Sequence, residues 1–173
     1  MRVLIVSDIH GNFLNMKKVI QNESNIDRIL IMGDVLNGYR GDGYNPEQLA
    51  DFLNLYKDKT IYVKGNYDNY NMELLDGYVD KSFITISVDE KLLFMTHGHI
   101  YSRYNLPDMD YDVFIQGHTH VPMMEKEDNK LYLNPGSITN PRGGSTRSYI
   151  LYEDGVFYLK SLDDNKIIKS IEF

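Results

Sequence analysis

Five short polar segments of the sequence hold the residues best suited to binding metal ions. They contain all five histidines of the chain and lie at residues 7–12, 33–37, 65–68, 96–99 and 117–120. Four histidines form two His-x-His pairs, and the fifth lies two residues after an aspartate. Because side chains two residues apart on an extended segment point the same way, this spacing suits adjacent ligand positions. One such motif alone is typical of a hydrogen-bonded structural residue, whereas all of them together predict a metal centre.

The donor types in these segments narrow the kind of metal. Carboxylates, an amide oxygen and neutral imidazoles form a mixed set of oxygen and nitrogen ligands that suits Mn, Fe, Zn, Ni or Mg. The chain has no cysteine, which excludes a thiolate zinc site, a disulfide and a cysteine nucleophile. These donors predict divalent metal ions but do not choose among them; we expect Mn, with Zn, Ni, Fe or Mg as alternatives.

Each polar segment follows an apolar run, which places the segment at the end of a β-strand. The first half of the chain alternates strands and helices, at residues 3–6, 13–20, 28–32, 45–56 and 60–64. This β-α-β-α-β order predicts parallel strands. Because ligand sites gather beyond the carboxyl ends of strands in α/β sheets, we expect the five segments to meet at one site.

The second half of the chain is rich in strands. Strand-like runs lie at residues 83–88, 92–96, 113–116, 123–126, 131–134, 149–152, 156–162 and 167–173. Turn-forming residues at 88–91, 127–130 and 153–155 join many of these runs as hairpins. The pattern predicts a layered α/β sandwich of two facing mixed β-sheets flanked by helices. With 173 residues and no linker, the chain is expected to be a single domain over 1–173.

The composition indicates a globular protein and argues against two classes of partner. The apolar share is 42%, and the formal net charge of -7 speaks against broad nucleic-acid binding. The apolar run before Asp8 is too short for a secretion signal or a membrane span, so we expect a cytoplasmic protein without a membrane partner. Tyr101, Tyr104 and Tyr111 are expected to pack or form an interface rather than stack nucleobases.

The metal-binding segments resemble the five-part signature of the calcineurin-like metallophosphoesterases. The matching motifs are Asp8-x-His10, Gly33-Asp34, Gly65-Asn66-x-Asp68, His97 and Gly117-His118-x-His120. The stretches at residues 97–101, 105–107, 117–122 and 134–137 are similar to the small bacterial YfcE-type phosphodiesterases in particular. The resemblance covers most of the chain and implies the metallophosphoesterase fold.

Carried over residue by residue, the resemblance implies two divalent metal ions that share one carboxylate. The first ion would be held by Asp8, His10, Asp34 and His120. The second ion would be held by Asp34, Asn66, His97 and His118. Two ions about 3.5–4 Å apart can stabilise charge on a phosphoryl group and lower the pKa of bound water. The expected reaction is hydrolysis of a small phosphodiester by a metal-bridging hydroxide, with these seven residues as the catalytic set.

Five further residues are candidates for supporting roles. Many family members have His where this chain has Tyr67; because a phenol is a poor base near neutral pH, Tyr67 either donates a hydrogen bond or shapes the pocket. Diesters with good leaving groups are then favoured. Asp68 either orients its neighbours or caps a turn, and His99 is expected to face the substrate or to support the ligands from outside. Arg40 and Arg142 either bind phosphate oxygens or are ordinary surface arginines.

Other functions remain as alternatives at this point. The same ligands suit a phosphomonoesterase or a nucleotide pyrophosphatase, because they specify phosphate chemistry and not the attached group. A scaffold that resembles the retromer subunit of this fold is disfavoured, since every ligand position is filled. A nuclease is disfavoured by the acidic charge. A homo-oligomer is one possible assembly.

Overall fold

The chain forms eleven β-strands and two α-helices, and its computed structural model describes residues 1–173. The first half contains β1 (Arg2–Val6), α1 (Phe13–Asn22), β2 (Arg28–Ile31), α2 (Pro46–Asn54) and β3 (Thr60–Tyr62). The second half contains β4 (Phe83–Val88), β5 (Lys91–Thr96), β6 (Val113–Ile115), β7 (Met123–Glu127), β8 (Lys130–Asn134), β9 (Ser148–Glu153), β10 (Val156–Ser161) and β11 (Ile167–Glu172). Every predicted strand and helix is present, with ends that differ by at most two residues.

The strands form two mixed sheets, as the sequence predicts. The first sheet has the order β11-β10-β9-β1-β2-β3, and the second has the order β4-β5-β6-β8-β7. Strands β1, β2 and β3 are parallel, and so are β5, β6 and β8, whereas the hairpin pairs are antiparallel. Parallel strands direct successive loops to the same sheet edge. Six strand-end loops can therefore contribute to one site.

Side-chain alternation along the strands builds three apolar layers. In β1, Leu4 and Val6 belong to the cluster that contains the helices, whereas Val3 and Ile5 belong to the cluster between the sheets. Phe114 of β6 belongs to a third cluster on the other side of the second sheet. This alternation determines which residues of each strand face each layer. It therefore also determines how the last residues of a strand are oriented where the next loop begins.

Asparagine side chains cap both helices, which lie on one side of the first sheet. Asn12 accepts a hydrogen bond from Asn15 N at 3.0 Å, and Asn45 accepts one from Gln48 N at 3.1 Å. Pro46 occupies the first turn of α2, where a missing N–H costs nothing. Neither helix is long and apolar enough to cross a membrane. The caps predicted from Asn45 and Pro46 are confirmed.

Aromatic side chains form the cluster on the outer side of the second sheet. The Phe94 and Phe114 rings stack with their centroids 5.4 Å apart. Tyr101 and Tyr111 pack against this pair, which confirms the packing role predicted for them. Tyr104 does not pack, because it is 98% exposed.

A buried ion-pair network ties the end of α1 to the first sheet, away from the strand-end loops. The Glu23 side chain, only 1% exposed, pairs with Arg2 at 2.6 Å. It also accepts hydrogen bonds from Lys160 and, at 2.7 Å, from the Tyr149 hydroxyl. We expect Glu23→Ala to lower the free energy of unfolding by about 3 kcal/mol, because Lys160 loses its carboxylate partner, while Arg2 keeps only Glu153 and the Tyr149 hydroxyl keeps only Asn165. Urea unfolding of the metal-free protein measures this change.

An exposed ion pair provides the matched control for this variant. Asp76 pairs with Lys57 at 3.1 Å, and both side chains are about half exposed. Because water solvates these charges after the pair is broken, Asp76→Ala should leave the free energy of unfolding nearly unchanged. Equal effects of the two substitutions would show that the Glu23 network contributes no more than a surface pair.

Candidate metal centre

The loops after β1, β2, β3, β5 and β6 converge at one edge of the two sheets. Backbone hydrogen bonds join them: His10 N donates to Asp34 O at 2.9 Å, and Gly117 N donates to His97 O at 2.8 Å. The loops bring together all seven side chains expected to bind metal, which are Asp8, His10, Asp34, Asn66, His97, His118 and His120. Asn66 and His118 are half-buried, whereas the other five are buried. These two residues therefore mark the open side of the cluster.

Asp8, His10 and His120 form the first group of donor atoms. His120 Nε2 lies 3.1 Å from Asp8 Oδ1 and 3.3 Å from His10 Nε2. Asp8 Oδ2 accepts hydrogen bonds from Ser7 Oγ at 2.6 Å and from His118 N at 3.0 Å. Asp8 Oδ1, in contrast, is buried without a hydrogen-bond partner. A buried carboxylate oxygen without a donor is costly unless a cation faces it.

Asp34, Asn66, His97 and His118 form the second group of donor atoms. His97 Nε2 lies 3.3 Å from Asp34 Oδ2 and 3.0 Å from Asn66 Oδ1. His118 Nδ1 lies 2.9 Å from the same amide oxygen. Asp34 Oδ2 is also 3.9 Å from His10 Nε2 in the first group. One carboxylate oxygen therefore faces both groups, which is the arrangement that two ions with a shared ligand require.

Backbone carbonyl groups fix the orientation of three imidazoles. Nδ1 of His10, His97 and His120 lies 2.6 Å from a carbonyl oxygen in each case. The three carbonyls belong to Asn37, Met32 and Asn140. Because a carbonyl oxygen can only accept, each Nδ1 carries the proton, and in the neutral ring Nε2 keeps its lone pair. When both rings are neutral, the Nε2 lone pairs of His10 and His120 face each other and repel. A bound cation removes this repulsion. The donor set therefore fits bound divalent ions.

Without a cation, protons offset the negative charge of the cluster. Burial lowers the pKa of His97, but the nearby Asp34 and Asp8 carboxylates outweigh burial and raise this pKa to about 9. Burial also lowers the pKa of His120, yet its contact with Asp8 raises the pKa by more. A divalent ion takes the place of such protons, so metal binding is coupled to proton release.

Asp68 joins two of the loops from behind the donor atoms. Its buried carboxylate accepts hydrogen bonds from Asp34 N and Gly65 N, both at 2.8 Å, and from Val35 N at 2.9 Å. Burial raises the pKa of Asp68, while the three N–H donors stabilise the ionised form. The loops also approach too closely for a side chain at residue 65, because a Cβ on Gly65 would lie 2.1 Å from Asp34 Oδ1. These contacts support the orienting role of Asp68.

The backbone of the candidate ligands is strained. Five of them have left-handed φ angles: Asp8 (52°), His10 (48°), Asp34 (53°), His118 (67°) and His120 (61°). This conformation costs a residue with a Cβ about 1–2 kcal/mol. Such strain persists only where the surroundings over-determine it, and it clusters at functional sites. Eight further non-glycine residues share this φ range elsewhere in the chain, so the loops are marked by the coincidence of five such residues with the donor atoms.

Tyr67 lies beside the first donor group, and His99 lies beside the second. Tyr67 N donates to Asp34 Oδ1 at 2.9 Å, and the Tyr67 ring lies 5.7 Å from the His10 ring. The His99 ring lies 5.4 Å from the His97 ring and is largely exposed. Burial, followed by the nearby His97 charge, lowers the pKa of His99. Both residues border the open side of the cluster.

The two candidate arginines differ in their relation to the cluster. Arg142 N donates to His120 O at 3.1 Å, and the Arg142 charge acts on His120, where it lowers the pKa. Arg40 lies on the loop after β2 with an exposed side chain. The structure thus brings Arg142 next to the donor atoms and shows no such link for Arg40.

Ser137 is a supporting residue that the sequence reasoning missed. Its hydroxyl donates to Asp8 O at 2.8 Å and accepts hydrogen bonds from Thr139 N and Asn140 N. Asn140 in turn supplies the carbonyl that orients His120. The sequence offered one signal, because the Pro135-Gly136-Ser137 turn ends β8 beside the other strand-end loops. The carbonyl partners of the imidazoles left no signal, because every residue type has a backbone carbonyl.

This combination of fold and donor cluster agrees with a known protein family. The model of the calcineurin-like phosphoesterase superfamily domain matches residues 1–154. The chain belongs to this superfamily and is a metal-dependent phosphoesterase. The family also implies divalent metal ions as cofactors.

Two named phosphodiesterases are similar to the chain over most of its length. Phosphodiesterase YfcE of Escherichia coli K12 is 34% identical over 99% of this chain and 97% of its own length. A phosphodiesterase of Methanocaldococcus jannaschii is 30% identical over 79% of this chain and 83% of its own length. The solved structure of the E. coli phosphoesterase Yfce superposes with a TM-score of 0.92, at 33% identity and 99% coverage of both chains.

More distant structures share the fold alone. Vps29 of Entamoeba histolytica, solved in complex with zinc, superposes with a TM-score of 0.68 at 21% identity, covering 99% of both chains. At this identity the similarity carries no functional argument.

Proposed function

We propose that the chain is a dinuclear metal-dependent phosphodiesterase that hydrolyses a small phosphodiester. The observation that carries this proposal is Asp34 Oδ2, which faces donor atoms of both groups, at 3.3 Å from His97 Nε2 and 3.9 Å from His10 Nε2. Similarity to two phosphodiesterases supports the diester as substrate class. Mn is the proposed metal, with Zn, Ni, Fe or Mg as alternatives, since the mixed oxygen and nitrogen donors suit all five.

The proposed mechanism assigns simple tasks to the residues of the chain. Two bound divalent ions supply Lewis acidity and make water a better nucleophile at neutral pH. Asp8, His10 and His120 would hold one ion, and Asn66, His97 and His118 would hold the other, with Asp34 shared. Asp68 keeps Asp34 in position through the loop backbone. The half-buried side of the cluster, at Asn66 and His118, leaves room for the phosphoryl group.

The attacking group is proposed to be water and not a protein side chain. The two hydroxyls nearest Asp8 are those of Ser7 and Ser137, and both are buried. Ser7 Oγ donates to Asp8 Oδ2, and Ser137 Oγ donates to Asp8 O. Each hydroxyl therefore serves as a support for Asp8. Because these hydroxyls are buried and engaged, and the chain has no cysteine, no covalent enzyme intermediate is proposed.

Metal removal and restoration test this function. After treatment with a chelator, we expect hydrolysis of bis(p-nitrophenyl) phosphate to fall to background and to return when Mn²⁺ is added, because the donor cluster alone supplies no Lewis acid. The release of p-nitrophenol measures the rate, and a panel of Zn²⁺, Ni²⁺, Fe²⁺ and Mg²⁺ ranks the metals. Absence of diester hydrolysis with every metal would overturn the proposal.

The same assay distinguishes the enzymatic alternatives. A phosphomonoesterase would turn over p-nitrophenyl phosphate faster than the diester, and a nucleotide pyrophosphatase would prefer a phosphoanhydride. The proposed phosphodiesterase turns over the diester fastest. A nuclease would cleave short oligonucleotides, for which the net charge of -7 offers no broad attraction.

A scaffold function, as in the retromer subunit that the sequence also resembles in fold, is the alternative from a different class. Binding alone would not require a full set of donor atoms, whereas all seven predicted positions carry donors here. Survival of the in vivo function in His118→Ala would favour the scaffold. Cytoplasmic location and homo-oligomer formation stay predictions.

A further inference from the structure

Tyr67 is fixed at the edge of the candidate metal centre by its backbone. It directly follows Asn66, and its N–H donates to Asp34 Oδ1 at 2.9 Å. Both of these neighbours belong to the second donor group. The position of Tyr67 is therefore tied to the geometry of the donor cluster.

The Tyr67 ring adjoins the first donor group but remains half exposed. Its centroid lies 5.7 Å from that of His10, with the ring planes at 81°. A Cβ on Gly38 would lie 3.0 Å from Tyr67 Cγ and 2.5 Å from His10 Nδ1, so bare backbone packs against both rings. The Tyr67 side chain is nevertheless 49% exposed. An aromatic ring held in place with half its surface in water offers a ready contact surface.

Two further exposed tyrosines lie on the loops that carry or approach Tyr67. Tyr39 is 39% exposed and Tyr70 is 56% exposed, and they lie on the two segments that flank His10. The Asn37 side chain donates to Tyr70 O at 2.9 Å, while Asn37 O is the partner of His10 Nδ1. The segments are thus tied to each other and to a candidate ligand. The exposed tyrosines thus lie on segments next to the first donor group, whereas His99 adjoins His97 of the second group.

We propose that Tyr67 determines the substrate class by stacking against a planar aromatic group of the phosphodiester. The inference rests on the proposed phosphodiesterase function. A phosphoryl group at the donor cluster brings its ester substituents within reach of a ring that adjoins His10. Aryl groups and nucleobases share the planar π surface that this contact requires, and such stacking tolerates different ring types. The preferred substrates are therefore diesters with an aryl or nucleoside substituent.

Equilibrium binding of two size-matched anions tests the inference independently of turnover. Neither diphenylphosphinate nor dicyclohexylphosphinate has an ester bond that can be hydrolysed. The substituents of the first are planar phenyl rings, whereas the cyclohexyl rings of the second are not planar. Calorimetry with the Mn²⁺-loaded wild-type protein should give a dissociation constant about fivefold lower for the phenyl compound, which is equivalent to about 1 kcal/mol. Tyr67→Phe should keep this ratio, and Tyr67→Ala should reduce it to near one.

Tyr104→Ala is the matched control, because Tyr104 is almost fully exposed and lines a separate cavity that contains none of the seven donor residues. It should leave the ratio unchanged. Equal ratios in wild type and Tyr67→Ala, or no binding of diphenylphosphinate to the wild type, would overturn the inference. If the ratio behaves as expected while no diester is hydrolysed, the proposed function fails and the aromatic binding site stands.

A second pair of probes separates the two sources of the planar group. Thymidine 5′-methylphosphonate and its abasic counterpart differ only in the base. If Tyr67→Ala removes the preference for the base, the stacked group can be a nucleoside. If Tyr67→Ala removes only the preference for diphenylphosphinate over dicyclohexylphosphinate, the stacked group is the aryl substituent of a simple aryl ester. Either result supports stacking on Tyr67.

Discussion

Replacement of Asp34 by Asn is expected to remove both metal ions and to lower kcat/KM for a phosphodiester by about 10³-fold. Asp34 Oδ2 is the atom that faces both donor groups, and an amide cannot bridge two cations as a carboxylate does. A loss of about 4 kcal/mol of charge stabilisation in the transition state corresponds to this factor. Metal analysis after dialysis and steady-state kinetics measure the two effects. The amide can still accept the hydrogen bond from Tyr67 N, so the loop need not move.

Two further variants serve as comparisons for Asp34→Asn. His118→Ala removes a donor of the second group only, so it should lose one ion and keep the other. Asp42→Asn changes an exposed carboxylate on the loop after β2 and should keep both ions. Retention of two ions by Asp34→Asn would show that Asp34 is not shared.

Replacement of Asp68 by Ala is expected to lower the free energy of unfolding by about 5 kcal/mol in the metal-free protein. Three backbone N–H groups, of Asp34, Val35 and Gly65, lose their acceptor. Each buried N–H left without an acceptor costs about 1–3 kcal/mol. Urea unfolding measures the loss. Because the Asp34 loop is then no longer fixed, Mn²⁺ affinity should also fall about 10- to 100-fold.

Since such a loss can approach the whole stability of a small protein, Asp68→Asn keeps the prediction testable. Its amide retains one oxygen acceptor and should show an intermediate loss. Asp80→Ala is the surface control, because it breaks only the Lys64 ion pair at 2.8 Å, in which the Asp80 side chain is 70% exposed. If Asp68→Ala were no more destabilised than this control, Asp68 would not hold the loops.

Much of the fold could be predicted from the sequence because local patterns determine it. Short apolar runs bounded by polar turns, such as residues 29–31, are typical of buried strands, and Asn45-Pro46 is a clear helix start. The strand order could not be predicted, because β1 pairs with β9, about 145 residues away, through contacts that no local pattern records. The aromatic cover of the second sheet was likewise hidden, because Phe94 and Phe114 meet only after the sheet forms.

The candidate site was predictable to the extent that side-chain chemistry identifies it. The seven donor residues stand out by type and by their place after apolar runs, and the structure brings all of them together. The role of Asp68 could not be decided from the sequence. The same residue type would serve to cap its own turn through Gly65 N or to hold the neighbouring loop through Asp34 N, and it does both. The distinct positions of Arg40 and Arg142 were equally inaccessible, since both lie on glycine-rich loops.

The left-handed backbone of the candidate ligands also restricts which residues can replace them. Asp, Asn and His are the non-glycine types that enter this region most readily, and they are also donors for divalent metals. The backbone conformation and the metal chemistry therefore favour the same residue types at five positions, which are Asp8, His10, Asp34, His118 and His120. β-Branched residues are excluded by conformation before any loss of metal is considered. The loops thus leave little room for a new ligand set, whereas Tyr67, which has no such φ, is free to vary with the substrate.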